Sequence, residues 1–215
     1  MKKDIVNKCL DVLEITGKTA LSVIPIGGVL ASAIYETVKG NVLQKRQEKW
    51  KFVIEDRLSK LETTLENIGE NETFATMLIK STELAMKTEK VEKLEYLANA
   101  LLYTVEHSID EDKLIMFMSY VEKYTVSHIK ILNFFNNPKK FPNVNVENCI
   151  MGSPSQPLSQ VYPEVSPLRD KCINDLYNDG LMNTQSINIS MTAQGMVAKR
   201  TTQLGDDFLS FLKLI

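Results

Sequence analysis

The chain has 215 residues, of which 44% are hydrophobic, and this is enough apolar material for one large or two small packed domains. Its 25 basic and 27 acidic residues give a formal charge of -2, which excludes the general basic field of most nucleic-acid-binding proteins. Cys9, Cys149 and Cys172 are odd in number and unrelated in spacing. They argue against a disulfide framework and favour a reducing compartment, so a cytoplasmic location is expected.

An uncharged segment, TALSVIPIGGVLASAIY, lies between Lys18 and Glu36. At about 17 residues it reaches only the lower limit for a membrane-crossing helix, and a proline and two glycines interrupt it. A re-entrant hairpin, an interfacial helix or a buried helix pair fits better. We therefore expect residues 19–40 to be buried in a bundle, in an oligomer or at a membrane. The residues expected to form this membrane or oligomer segment are Ile24, Pro25, Ile26, Gly27, Gly28, Val29, Leu30 and Ile34.

Helical periodicity surrounds this segment. Apolar residues recur at helical spacing over 5–13, and a longer charged helix is predicted over 42–68. A cluster at the start of the longer helix is a candidate contact for lipid headgroups or a partner: Lys45, Arg46, Lys49 and Trp50. The alternative, which we favour, is an exposed helix face with Trp50 in the core of the bundle.

Four more helices are predicted after the long one. Two cover about 73–87 and 90–106, and the next begins near Asp110, whose side chain can cap free amide groups. Thr125 or Ser127 can cap the fourth, which ends at Pro138. The first domain is placed at 1–108 and the second at 109–215.

The second domain is expected to be winged-helix-like. Six of the seven prolines lie in 138–167, which predicts a long loop there. A helix ending at Gly180, a strand in LMNTQSINISM, a second strand over about 196–202 and a final amphipathic helix follow. The predicted fold class is thus mostly α: a helical bundle with a long charged helix, followed by a winged-helix-like α+β module.

Several of these stretches together resemble the abortive-infection alpha family and related bacterial helical proteins. The matching parts are SVIPIGGVLASAIYETVKG, KLEYLANALL, FMSYVEKYTVSHIKILNFF, INDLYNDGL and TQLGDDFLSFL. The resemblance implies a role in bacterial defence against phage. It brings no catalytic residues with it, and the proline-rich loop is longer than the family pattern.

No pattern in the sequence predicts a catalytic residue, a metal site or a cofactor. His107 and His128 stand apart from cysteines and paired carboxylates at any ligand spacing, and Cys172 is interpreted as a small buried residue. Four cations of the second domain are candidate nucleic-acid contacts: Arg169, Lys171, Lys199 and Arg200. Because aspartates flank them, DNA binding is disfavoured.

The sequence therefore predicts a non-enzymatic phage-defence protein that acts by self-association or membrane engagement through its apolar N-terminal segment. The expected partner is a second copy of the chain or another protein. A membrane surface is a further candidate partner, in which case the protein would be peripheral at the inner membrane. The alternative is a winged-helix regulator that binds DNA or protein.

Overall fold

A computed structural model describes residues 42–59, 72–146 and 149–215. The described chain is mostly helical and contains one small antiparallel sheet of two strands. The short helix predicted over 5–13, the apolar segment 19–40 and the last part of the predicted helix 42–68 lie outside the described residues. The chain divides into two compact units between Glu122 and Lys123, whereas the sequence placed a boundary after residue 108.

Three helices pack together in the first unit: α1 (Gln44–Ser59), α2 (Glu72–Lys87) and α3 (Val91–Glu106). Each turns an apolar stripe inward, as the three-four spacing of its large residues requires. Trp50 and Ile54 of α1 are buried, and so are Met77 of α2 and Leu97 of α3. The helices predicted at about 73–87 and 90–106 are confirmed.

A fourth helix, α4 (Glu111–Lys123), follows. The Asp110 carboxylate accepts a hydrogen bond from the Lys113 backbone amide at 3.2 Å, so the predicted cap is confirmed. Near the end of α4, Glu122 forms a salt bridge of 3.0 Å with Lys87 at the end of α2. Both side chains are more than half exposed, so this pair contributes little to stability.

The second unit is built on α5 (Val126–Asn136), α7 (Arg169–Asn178) and α9 (Gln203–Phe211), with α6 (Ser155–Val161) and α8 (Ala193–Met196) as shorter helices. Helix α5 packs on both α7 and α9. Phe134 and Phe135 of α5 are fully buried, as are the two phenylalanines of α9, so aromatic side chains fill much of this core. Helix α7 ends as predicted near Gly180, whose φ of 76° lies in the left-handed region that glycine tolerates.

The prediction of a long loop over 138–167 is wrong. The segment contains 3₁₀ turns at Pro138–Lys140 and Pro163–Leu168, the strand β1 (Met151–Gly152) and helix α6. Pro138 and Pro163 stand at the first positions of their turns, where a missing backbone N–H breaks no helical hydrogen bond. Leu158 and Val165 anchor the segment in the core.

The strands predicted from LMNTQSINISM and over about 196–202 are also largely wrong. Only β2 (Met191–Thr192) forms, paired with β1 so that Met151 faces Thr192 and Gly152 faces Met191. Residues Met182 and Thr201 add a single antiparallel bridge. Between these two residues, side chains form hydrogen bonds to the nearby backbone, which competes with the backbone pairing of a β-ladder. For example, the Thr184 hydroxyl donates to the Ser186 carbonyl at 2.9 Å.

Candidate functional site

A groove of about 490 Å³ runs between α1 and α3 on the first unit. Phe52 lies in it with 73% of its surface exposed, although the neighbouring Trp50 is fully buried. Val53, Val91 and Leu94 also line the groove and add apolar surface to it. A large exposed aromatic side chain beside further apolar surface is typical of a protein contact site.

Charged side chains of both signs form the rim of this groove. Glu48, Lys49, Asp56 and Arg57 come from α1, and Glu95 comes from α3. Three carboxylates against two cations leave the rim slightly acidic. Such a rim suits a partner that itself presents both signs better than it suits an anionic surface.

The sequence-predicted headgroup cluster divides into two pairs. The Trp50 indole donates to the Thr82 hydroxyl at 3.1 Å in the core, so Trp50 is not available to a headgroup and the core interpretation is the one the structure supports. The Arg46 guanidinium donates to the Met86 carbonyl at 2.9 Å, which ties α1 to α2. Lys45 and Lys49 remain exposed, and only Lys49 reaches the groove described above.

In the second unit, His128 of α5 lies in a polar cluster that sequence spacing did not reveal. Its Nδ1 accepts a hydrogen bond from the Thr125 backbone amide at 3.2 Å, and its Nε2 lies 3.3 Å from an Asp175 carboxylate oxygen. Because Nδ1 accepts, the geometry assigns the proton of the neutral ring to Nε2. The ring also stacks on Tyr124 with centroids 5.0 Å apart.

The thiol of Cys172 lies 3.5 Å from the same Nδ1, so the cluster contains a cysteine, a histidine and an aspartate. Burial raises the pKa of the Cys172 thiol to about 11, with the Asp175 charge adding to the rise. Burial is the main cause that lowers the pKa of His128, and the charges of Lys171 and Lys123 add to it, so the pKa is lowered although the contact with Asp175 raises it. The thiol is therefore protonated near neutral pH and only 1% exposed, which places the cluster in the core of the unit.

The sequence kept His128 and Cys172 apart because 44 residues separate them in the chain. The sequence nevertheless contained one indication of the polar cluster. Cys172, Asp175 and Asp179 follow one another at three- and four-residue spacing, so they lie on one side of α7 and its C-cap. That face is lined with acceptors, since Asp179 receives hydrogen bonds of 2.5 Å from both Tyr124 and Lys123.

The four candidate nucleic-acid contacts are all engaged within the second unit. Arg169 pairs with Asp170 at 3.0 Å, Lys171 pairs with Asp175, and Lys199 pairs with Asp206 at 2.5 Å. Arg200 is 8% exposed and donates to the Gly195 carbonyl at 2.7 Å, and its burial lowers its pKa. Each positive charge is thus either neutralised at close range or withdrawn from the surface.

The apolar segment with Ile24, Pro25, Ile26, Gly27, Gly28, Val29, Leu30 and Ile34 lies outside the described residues. Within the described ranges no helix combines the length and apolar character that crossing a membrane requires. No group of three or more histidine, cysteine or acidic residues in the same ranges could hold a metal ion. In comparisons with known proteins, no family model, no curated protein and no solved structure matches the chain.

Proposed function

We propose that the protein acts in bacterial phage defence by binding protein through the N-terminal part of its chain, without chemical turnover. The observation that carries the proposal is the groove between α1 and α3, in which Phe52 is 73% exposed. A phenylalanine at this position adds nothing to the core of the unit, yet it presents apolar surface that association would remove from water. The setting in phage defence rests on the resemblance to the abortive-infection alpha family.

We propose that the apolar segment 19–40 takes part in the same association. It ends a few residues before α1 begins at Gln44, so the two apolar features adjoin each other in the chain. Self-association is the mechanism that we favour for both. Engagement of a membrane by the segment is the alternative, and it predicts binding to vesicles.

A phage plating assay with matched expression tests the proposal. Deleting residues 1–40 and, separately, changing Phe52→Asp should each abolish protection, whereas His107→Ala should leave it intact because that side chain is exposed and does not line the groove. Vesicle flotation of the intact chain separates the two mechanisms. Full protection by both the truncated chain and a folded Phe52→Asp variant would refute the proposal.

A second proposal concerns the second unit, which we infer to be a winged-helix-like module. Its order is helix α5, strand β1, helices α6 and α7, and strand β2, and β1 pairs with β2 across the two intervening helices. The bridge between Met182 and Thr201 would form the base of the wing. Because its cations are engaged, we propose that the module contacts protein and not duplex DNA.

A further inference from the structure

We propose that α1 of one chain packs antiparallel against α1 of a second copy, across a two-fold axis near Phe52. The inference rests on the proposed function in one respect, since it names the partner of the groove. Beyond the proposed function, the inference specifies which helix makes the contact, the relative direction of the two helices and the charged residues that meet.

Charge is distributed unevenly along α1. Its first eight residues, Gln44 to Lys51, contain four cations and one carboxylate, whereas its last eight, Phe52 to Ser59, contain one cation and two carboxylates. A parallel pair would place the two basic halves together. An antiparallel pair places each basic half against the less basic, acid-bearing half of the other copy, which electrostatics favours.

Phe52 sets the register of the proposed pair. Lys49, Phe52 and Asp56 occur at positions i, i+3 and i+7, so they share one face of the helix. All three are exposed and all line the groove. With the two-fold axis between residues 52 and 53, Phe52 meets Phe52 of the second copy. Lys49 and Asp56 are then equally far from the axis in opposite directions, so each Lys49 faces the other copy's Asp56.

This surface is complementary to itself, as a two-fold interface must be. The same face supplies the apolar centre, the cation and the carboxylate, so one contact generates two salt bridges by symmetry. Val91 of α3 is 51% exposed beside Phe52 in the groove and provides apolar surface against which the second α1 can pack. A lipid headgroup surface offers no such match, because the rim carries carboxylates on both helices.

Sedimentation equilibrium of the full chain tests the inference through charge reversal. Lys49→Glu alone and Asp56→Lys alone each create two like-charge contacts in a homodimer, and each should weaken the dimer by about tenfold or more. An equimolar mixture of these two variants restores both attractive pairs and should dimerise with an affinity close to that of the unaltered chain. The double variant Lys49→Glu/Asp56→Lys should also dimerise, because each altered side chain again faces an opposite charge on the second copy. In a parallel pair each residue would face its own counterpart, so neither single variant would be weaker than the unaltered chain.

Phe52→Asp should abolish the dimer while leaving the far-UV circular dichroism unchanged, since the side chain is exposed. Ile150→Asp is the matched control, because Ile150 is 89% exposed in the second unit and should have no effect on the dimer. A chain that stays monomeric up to about 100 µM, a concentration at which even a weak contact would appear, overturns the inference. The inference is also overturned if an equimolar mixture of the two single variants dimerises with no higher affinity than either variant alone.

The plating assay distinguishes this inference from the proposed function. A monomeric chain whose protection is nevertheless lost with Phe52→Asp would refute the dimer and retain a protein-binding groove. A chain that dimerises as described, but protects equally well with Phe52→Asp, would retain the dimer and refute its role in defence.

Discussion

Trp50→Ala should destabilise the first unit strongly, whereas Phe52→Ala should leave its stability nearly unchanged. The two aromatic residues are two positions apart on α1, but Trp50 is fully buried and Phe52 is 73% exposed. The comparison decides whether Trp50 is a core residue or a contact for lipid headgroups. It also provides its own control, because both variants remove an aromatic ring from the same helix.

The magnitude follows from packing and from one hydrogen bond. Replacing a fully buried tryptophan by alanine costs about 3–5 kcal/mol through lost burial and the cavity that remains. The Thr82 hydroxyl loses the indole donor at 3.1 Å but still donates to the Leu78 carbonyl at 2.7 Å, so it does not become an unpaired donor. Trp50→Ala should therefore cost about 4 kcal/mol, Trp50→Phe about 1–2 kcal/mol, and Phe52→Ala at most about 0.5 kcal/mol.

Urea unfolding followed by far-UV circular dichroism measures these differences without depending on tryptophan fluorescence, which two of the variants lack. The variants should share the slope of the unfolding transition and differ in its midpoint. The reasoning is refuted if Trp50→Ala unfolds within about 1 kcal/mol of the unaltered protein, or if Phe52→Ala costs as much as Trp50→Ala.

Three further changes test other parts of the structure. Because the pKa of His128 lies below its ordinary value of 6.5, the unfolded chain binds the proton first as pH falls, so stability should decrease below about pH 6.5. Urea midpoints between pH 5 and 8 should lose that component in His128→Asn but keep it in His107→Asn. Gly205→Ala should destabilise the second unit by about 1–3 kcal/mol, because the new methyl group would lie 2.3 Å from the Leu181 carbonyl oxygen; thermal unfolding beside Ser210→Ala checks this. Random duplex DNA should not bind at sub-micromolar strength in an electrophoretic shift assay. Salt-sensitive DNA binding that is lost when the four cations are changed together would contradict this expectation. The four cations are Arg169, Lys171, Lys199 and Arg200.

The bundle helices could be predicted from the sequence because local signals agreed with the final packing. Asp110 combines a capping side chain with the apolar rhythm that follows it, and the structure places α4 directly after it. The region 138–167 offered no such rhythm. Its short elements are held by single apolar anchors such as Leu158 and Val165, and an isolated anchor has no period that sequence alone can detect.

The groove was more predictable from the sequence than the cluster around His128. Phe52 departs from the helical rhythm of Leu43, Trp50 and Ile54, and an aromatic residue out of phase with the buried stripe was a usable signal of exposed apolar surface. The contact between His128 and Asp175 was not predictable in this way. It depends on the packing of α5 against α7, which joins residues 47 apart in the chain.

The two units differ in how their polar and apolar groups are used. In the second unit the groups best suited to chemistry are already engaged with one another: Asp175 with Lys171 and His128, and Asp206 with Lys199 and Asn136. A substrate would have to displace these internal contacts before any of the groups could act on it. Phe52 in the first unit has no corresponding contact to lose, since most of its surface meets water. Burying Phe52 on association therefore removes apolar surface from water without displacing a contact of that side chain. This difference is why we propose binding at α1 and structural support for the cluster around His128.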